Sequence, residues 1–458
     1  MVDRRPTVPV ISGGETETLR TTTLGGIDGP IADVSRTPRV SVRDAVETAR
    51  EEGFDSLRAL PVRELLAILG EASLRFEGVG PPGTDAAGYE RRVARATGMP
   101  VGWVRVGAHW LAYGLRHAGE ALRAQSPTAD LDVYDDPAYT RERNVGLAFA
   151  PRVRVLGALM PGNDPGVYAW PALALAMKIP IVVRPSDRDP FTAVRLARAL
   201  LDAGLPPEAI HVLPGARSVG ETVLLEADHG MAFGDDRAVA PFRDDPTVET
   251  YGPGNSVAVV AREPTDGELD TLARGIVRAG GRTCYNLTRI VATGACDADA
   301  LADGLARRVA DAPIGPVESP DADVPAFPDP ATAEAIDDRI EAGGGTDVTA
   351  AYREGPRRIE AHGAAVLRPT VLRIDGLVDE LPFPFAGVTR LPAKAIPGEL
   401  GRSYLGVCIG DEGVTRRLVR SPRVRKVYGG RYPAAVDLRE THEEYLASFL
   451  YETTTYDP

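Results

Sequence analysis

Residues 152–187 read RVRVLGALMPGNDPGVYAWPALALAMKIPIVVRPSD, and this stretch decides the fold. Residues 153–159 form an apolar run long enough for a buried strand. A loop, Met160-Pro161-Gly162-Asn163-Asp164-Pro165, ends it. Residues 171–177 suit a short helix and 179–183 a second buried strand, closed by Arg184-Pro185-Ser186-Asp187. Moving outward, 191–203 is an amphipathic helix stopped by Gly204 and two prolines. Residues 210–213 form a third strand, 219–226 a helix and 230–233 a fourth strand before Gly234-Asp235-Asp236-Arg237. Strands alternating with helices predict an α/β fold with a parallel sheet. Ligands of such sheets bind beyond the carboxyl ends of the strands, so the loops are where function is expected.

A second α/β half begins near Asn255, with a strand over 256–261 and a helix over 266–279. Then comes Gly280-Gly281-Arg282-Thr283-Cys284-Tyr285-Asn286, followed by a β-type run over 287–292. A thiol between glycines at a helix-to-strand junction can face a ligand, and its thiolate is a good nucleophile. The other reading of Cys284 is a small buried apolar residue.

Upstream, 41–52, 61–76, 89–96 and 101–125 read as helices, with Ser41 a candidate N-cap for the first. His109 and His117 suit packing or surface roles. Residues 131–150 suit an extended arm. The acidic, aromatic tail 440–458, with Tyr445, Phe449, Tyr451 and Tyr456, suits either an arm or a helix with a frayed end.

The 458 residues allow two or three domains, and 43% hydrophobic with 26% charged content is ordinary for a globular chain. A net charge of -13 argues against nucleic acid as a partner. Three lysines stand against 49 arginines. Cys284, Cys296 and Cys408 are too few and too scattered for a disulfide framework or a zinc site, so no metal is expected and a reducing cytoplasm fits best. No run is long enough to span a bilayer, and the N-terminus lacks the apolar core of a signal peptide. Gly252-x-Gly254 lacks the third glycine and following helix of a dinucleotide fingerprint.

Together these loops resemble the aldehyde dehydrogenase superfamily. Pro161-Gly162-Asn163 is similar to its Pro-Trp-Asn loop, and Arg184-Pro185-Ser186-Asp187 to its Lys-Pro-Ser/Ala-Glu loop. Residues 196–215 resemble the helix and strand that follow, and Gly281-Arg282-Thr283-Cys284 its Gly-Gln-x-Cys nucleophile segment. The resemblance implies a Rossmann-type cofactor domain over 1–130 and 151–250, a catalytic domain over 251–435, and a bridging arm over 131–150 and 436–458 that makes a homo-oligomer. It implies Cys284 as nucleophile and Asn163 as oxyanion donor, Asn163 also being a good turn residue. It implies cofactor contacts from Arg184, Ser186, Asp187, Gly234 and Glu380. Arg184, where the family has lysine, could grip a 2′-phosphate, which favours NADPH with NADH as the alternative. Asp187 could equally cap the next helix.

Two departures refine the expectation. The family's Glu-Leu-Gly-Gly-Lys-Ser segment, whose Glu activates water, aligns with Tyr251-Gly252-Pro253-Gly254-Asn255-Ser256, so Tyr251 replaces that Glu. Tyrosine is a poor base at neutral pH, although Glu249 points to the same side as Tyr251 if that stretch is a strand. Gly234-Asp235-Asp236-Arg237-Ala238-Val239 replaces Gly-Ser-Thr-x-x-Gly, and resembles the acyl-CoA reductase branch, relatives of the long-chain acyl-thioester reductase of bacterial bioluminescence. The expected reaction is NADPH-dependent reduction of an acyl-CoA or similar thioester to an aldehyde through acyl-Cys284. The alternatives are oxidation of an aldehyde with Glu249 as a displaced base, an acyl-phosphate or acyl-adenylate reductase served by a partner ligase, and a silent scaffold subunit.

Overall fold

A computed structural model describes residues 5–78, 85–136, 138–141, 145–433, 437 and 439–455. Tyr456 and parts of both arm segments lie outside these. Two seven-stranded sheets dominate. The first runs Val248–Tyr251, His229–Phe233, Leu156–Leu159, Ile181–Arg184, Ile210–Val212, Val10–Ile11, Glu15–Thr16. Its first five strands are parallel, and the last two join antiparallel. Leu156–Leu159 comes first in the chain among the parallel five yet lies between later strands on both sides. The strand order therefore reverses there, and the loop carrying Asn163 leaves from that switch point.

The second sheet runs Thr346–Asp347, Thr370–Arg373, Phe385–Arg390, Leu287–Ala292, Ser256–Val260, Ser403–Ile409, Val424–Gly429, parallel except at Thr346–Asp347. Leu287–Ala292 and Ser256–Val260 are buried along their whole lengths, as strands covered on both faces must be. The carboxyl-end rule holds for the first sheet only. Cys284, Gly254 and Phe383 all precede their strands, so the amino edge of the second sheet faces the carboxyl edge of the first.

The helices depart from the sequence reading in three places. The first spans Arg39–Thr48, so Ser41 lies inside it, and Pro38 at the N-cap makes no side-chain bond. The expected helix over 101–125 divides into Val101–Arg116 and Ala118–Gln125 around His117, whose ring stacks on Tyr113. Asp187 does not cap the next helix. Asp189 does, accepting from the Thr192 amide at 3.1 Å. The tail is both helix, Leu446–Leu450, and strand, Tyr451–Thr455. The strand pairs antiparallel with Val145–Pro151 of its own chain, in a three-stranded sheet whose third member is Ala138–Arg141. Among the described residues no helix is long and apolar enough to cross a membrane.

Candidate active site

A cavity of about 990 Å³ opens between the facing sheet edges and contains Asn163, Arg184, Ser186, Asp187, Gly234, Cys284 and Glu380 in its lining. All seven residues expected from the sequence therefore meet in one space.

Local chemistry explains how Cys284 is held. After the helix Asp266–Val277, Ala279, Gly280 and Gly281 take φ of 48°, 62° and 71°. Glycine tolerates this region, whereas Ala279 there is strained. At Gly281 a side chain would collide with the Phe383 backbone at 2.2 Å. Gly254 is bound by the same logic, since a Cβ there would lie 2.2 Å from the Cys284 carbonyl oxygen. Ser256 Oγ donates to that carbonyl at 2.6 Å. Asn286, missed by the sequence reading, ties the turn together. Its Oδ1 accepts from the Thr283 amide at 2.7 Å, and its Nδ2 donates to the carbonyls of Gly275, Ile276 and Arg278.

Asn163 Nδ2 donates to the Arg282 carbonyl at 2.5 Å, bridging the two halves, while its Oδ1 is buried with no partner among the described residues. The amide thus sits against the nucleophile segment, where its second N–H can meet an oxyanion on a group carried by Cys284. Burial pushes the Cys284 thiol well above its ordinary range; Glu380 and Glu443 add to this and Lys426 opposes it.

Tyr251 is buried, stacked on Phe233 with ring centroids 4.1 Å apart, and its hydroxyl donates to Glu249. Burial, then the charge of Glu249, drive the phenol well above its usual range. Burial raises the Glu249 carboxyl to about 7, against the Tyr251 hydrogen bond that lowers it. Glu380 also rises to about 7 through burial. Its carboxylate accepts from the Gly254 and Asn255 amides at 3.0 and 3.2 Å, which places it beside the nucleophile loop.

On the cofactor side, Arg184 is tied by Nη2 to Asp187 at 2.7 Å and to the Gly215 carbonyl at 2.8 Å; its buried Nε has no partner among the described residues. An adjoining cavity of about 430 Å³ is lined by Ser186, Asp187, Arg188, Gly215 and Arg36. The Asp235 side chain accepts from the Ala238 amide at 2.9 Å, so it caps the short helix Asp236–Val239.

The sequence reading also missed the far wall of the larger cavity, formed by Tyr404, Lys426, Glu440, His442 and Glu443. No short motif marks these residues: the strands Ser403–Ile409 and Val424–Gly429 bring in Tyr404 and Lys426, and the loop before Leu446–Leu450 brings in the other three. Cys296 and Cys408 are buried, with thiols raised to about 11 by burial. The cysteines are free, and no group of side chains among the described residues could hold a metal.

Comparison with known proteins agrees with this geometry. The model of the aldehyde dehydrogenase family matches residues 26–375. Geranial dehydrogenase of Castellaniella defragrans is 29% identical over 192 residues, 36% of this chain and 39% of that protein. Aspartate-semialdehyde dehydrogenase 1 of Pseudomonas canavaninivorans is 24% identical over 276 residues, 58% of this chain and 56% of that protein. The chain thus spans between about a sixth and three fifths of the length of these and other curated relatives it matches. The crystal structure of the aldehyde dehydrogenase KauB from Pseudomonas aeruginosa superposes with a TM-score of 0.80 at 18% identity, over 98% of this chain and 96% of that one. An indole-3-acetaldehyde dehydrogenase complexed with NAD+ does so with a TM-score of 0.80 at 19% identity, over 100% and 96%. With its fold, its opposed sheet edges and its cysteine and asparagine brought together, the chain belongs to the aldehyde dehydrogenase family.

Proposed function

We propose that this protein is an oxidoreductase that reduces an activated acyl group, an acyl-CoA or similar thioester, to an aldehyde through an acyl-Cys284 intermediate, with NADPH as the preferred reductant. The observation that carries this reading is position 251. A buried phenol stands where the family's water-activating carboxylate would stand, and its hydroxyl donates a hydrogen bond to Glu249. A phenol held protonated cannot take a proton from water at neutral pH, so the thioester survives long enough to be reduced.

In this mechanism the Cys284 thiolate attacks the acyl carbon and the donor thiol leaves with a proton. The Asn163 amide and the Cys284 backbone N–H steady the oxyanion, and one such donor is worth roughly 3 kcal/mol of barrier. A reduced nicotinamide cofactor, which Arg184, Ser186, Asp187, Gly234 and Glu380 would hold, would supply hydride to the thioester carbon. Collapse of the thiohemiacetal releases the aldehyde, and the freed Cys284 sulfur regains its proton. Arg36 and Arg188, which line the adjoining cavity, supply cations that suit a nucleotide bearing an additional phosphate. Acyl-phosphate or acyl-adenylate donors delivered by a ligase are compatible with the same cysteine.

One observation favours a second reading, aldehyde oxidation. The Tyr251–Glu249 pair could relay a proton from water to a carboxyl poised near neutrality. The test is purified protein with NADPH and a panel of acyl-CoA thioesters, followed by nicotinamide absorbance and product identification. Without nicotinamide, the acyl-Cys284 adduct should accumulate by intact mass. Rapid conversion of aldehyde and NADP+ to free acid without an acyl acceptor would overturn the reductase reading and make Glu249 the base.

A further inference from the structure

Tyr285 follows the nucleophile in the chain, and the hydrogen bonds around its phenol have a direction. Its oxygen accepts from the Tyr404 hydroxyl at 3.0 Å and from the Lys426 ammonium at 3.4 Å. A hydroxyl oxygen has two lone pairs, and these donors take both. The Tyr285 proton is left for a third atom, and no acceptor for it stands among the described residues. Tyr285, Tyr404 and Lys426 line the same cavity as Cys284. The two rings meet edge to face with centroids 4.9 Å apart, and the ammonium lies 5.6 and 5.4 Å from them. The Tyr432 hydroxyl donates to the Tyr285 carbonyl at 3.2 Å, and His442 backs the Tyr404 ring at 4.7 Å. The phenol is therefore held from several sides while its hydrogen stays free for the cavity. Behind it, Lys426 donates to Glu440 at 3.1 Å. The Glu440 side chain is 37% exposed and also accepts from the Tyr428 hydroxyl at 2.7 Å. A hydrogen-bonded line thus runs from the cavity through Tyr285 and Lys426 to a solvent-exposed carboxylate.

Reduction of a thioester to an aldehyde and a free thiol consumes one proton per turnover, and the donor sulfur takes it as it leaves. From this arrangement we propose that Tyr285 is the general acid of acyl transfer, giving its hydroxyl proton to the departing sulfur of the acyl donor, and that Lys426 replaces that proton. As the bond between the acyl carbon and the donor sulfur breaks, its electron pair stays on that sulfur and takes the Tyr285 proton. The Tyr285 oxygen takes one from the Lys426 ammonium, and the amine left behind recovers one from solvent beside Glu440. The phenol alone is a weak acid here, because burial, then the charge of Cys284, push it well above its usual range. The ammonium is the acid that counts. Burial lowers Lys426 against the opposing charge of Glu440, which brings its proton closer to that of a thiol, ordinarily about 8.5. Pairing with Glu440 keeps the lysine charged between turnovers. The role of Tyr285 rests on the thioester reading, which supplies the leaving atom.

Butyryl-CoA and p-nitrophenyl butyrate test it, since they place the same acyl group on Cys284 and differ in what leaves. One releases an alkyl thiolate that must be protonated, the other a nitrophenolate that is stable as the free anion. The reading is the ratio of the two acylation rates, thioester over ester, by intact mass without nicotinamide. Y285F keeps the ring and should lower that ratio by roughly 10²-fold. K426A should lower it too, and ethylamine should restore part of the thioester rate in K426A but none in Y285F. Damage to the fold or to Cys284 slows both donors together and leaves the ratio where it was. An unchanged ratio in Y285F overturns the proposal, as does a K426A thioester rate that ethylamine does not raise. The wild type judges the thioester reading separately. If butyryl-CoA does not acylate its Cys284, that reading fails and takes the proposal with it; if butyryl-CoA does, the variants alone decide.

Discussion

Cys284 gains its character from neighbours that oppose ionisation. Burial raises it, and Glu380, Glu443 and Asp164 reinforce this against Lys426 alone. Cys284→Ala should fold and bind nicotinamide cofactor, measured by fluorescence titration, yet lose turnover; more than a few per cent of residual rate would refute the nucleophile assignment. Asn163→Ala should lower kcat by roughly 10²–10³ with little change in cofactor affinity. A pure KM effect would leave Asn163 as no more than the bridge to the Arg282 carbonyl. Both residues were legible in the sequence because each sits in a loop with its own turn chemistry. Lys426, His442 and Asn286 were not. Their roles depend on contacts with residues far away in the chain or hidden inside a turn, and they carry no pattern of their own.

At the scale of elements, the strand Val248–Tyr251 holds a carboxyl against its interest. Native Glu249 keeps its proton up to about 7, whereas in the unfolded chain it releases it near 4.5. Between those values the native state binds more protons, so this group's contribution makes stability fall as pH rises. A displacement of this size corresponds to roughly 3 kcal/mol. Glu249→Gln keeps an acceptor for Tyr251 and removes the charge. Its melting temperature relative to wild type should climb by several degrees between about pH 5 and pH 7.5. A difference constant across that range would show that Glu249 titrates normally. Strands such as Ile181–Arg184, Ser256–Val260 and Leu287–Ala292 were readable because buried parallel strands are continuous apolar runs, whereas Val248–Tyr251, with its Glu and Thr, is not one, and helix ends were less readable. The 101–125 segment has one unbroken helical pattern, and its break is accompanied by the stacking of His117 on Tyr113 and the contact of its Nδ1 with the Tyr113 carbonyl at 3.0 Å.

For the whole molecule, one open edge among the described residues is the tail strand Tyr451–Thr455. It pairs on one side with Val145–Pro151, and its last four residues are exposed. An unpaired strand edge is a template for another chain, and we expect it to join a second copy. A chain truncated after Leu450 should show the monomer mass by light scattering where the full chain shows a multiple. An unchanged multiple would place the interface elsewhere. The alternation of strands and helices made the two-sheet plan legible. The facing of one sheet's amino edge towards the other's carboxyl edge was not, because no local signal encodes how two units dock.

The cavity takes its lining from Thr97 through Glu443. No contiguous stretch of the chain owns it, and one wall comes from Tyr404 onward, made well after Cys284. Synthesis must therefore pass Glu443 before any catalysis can begin. A nascent or prematurely terminated product would carry Cys284 but not the pocket that protects and directs it.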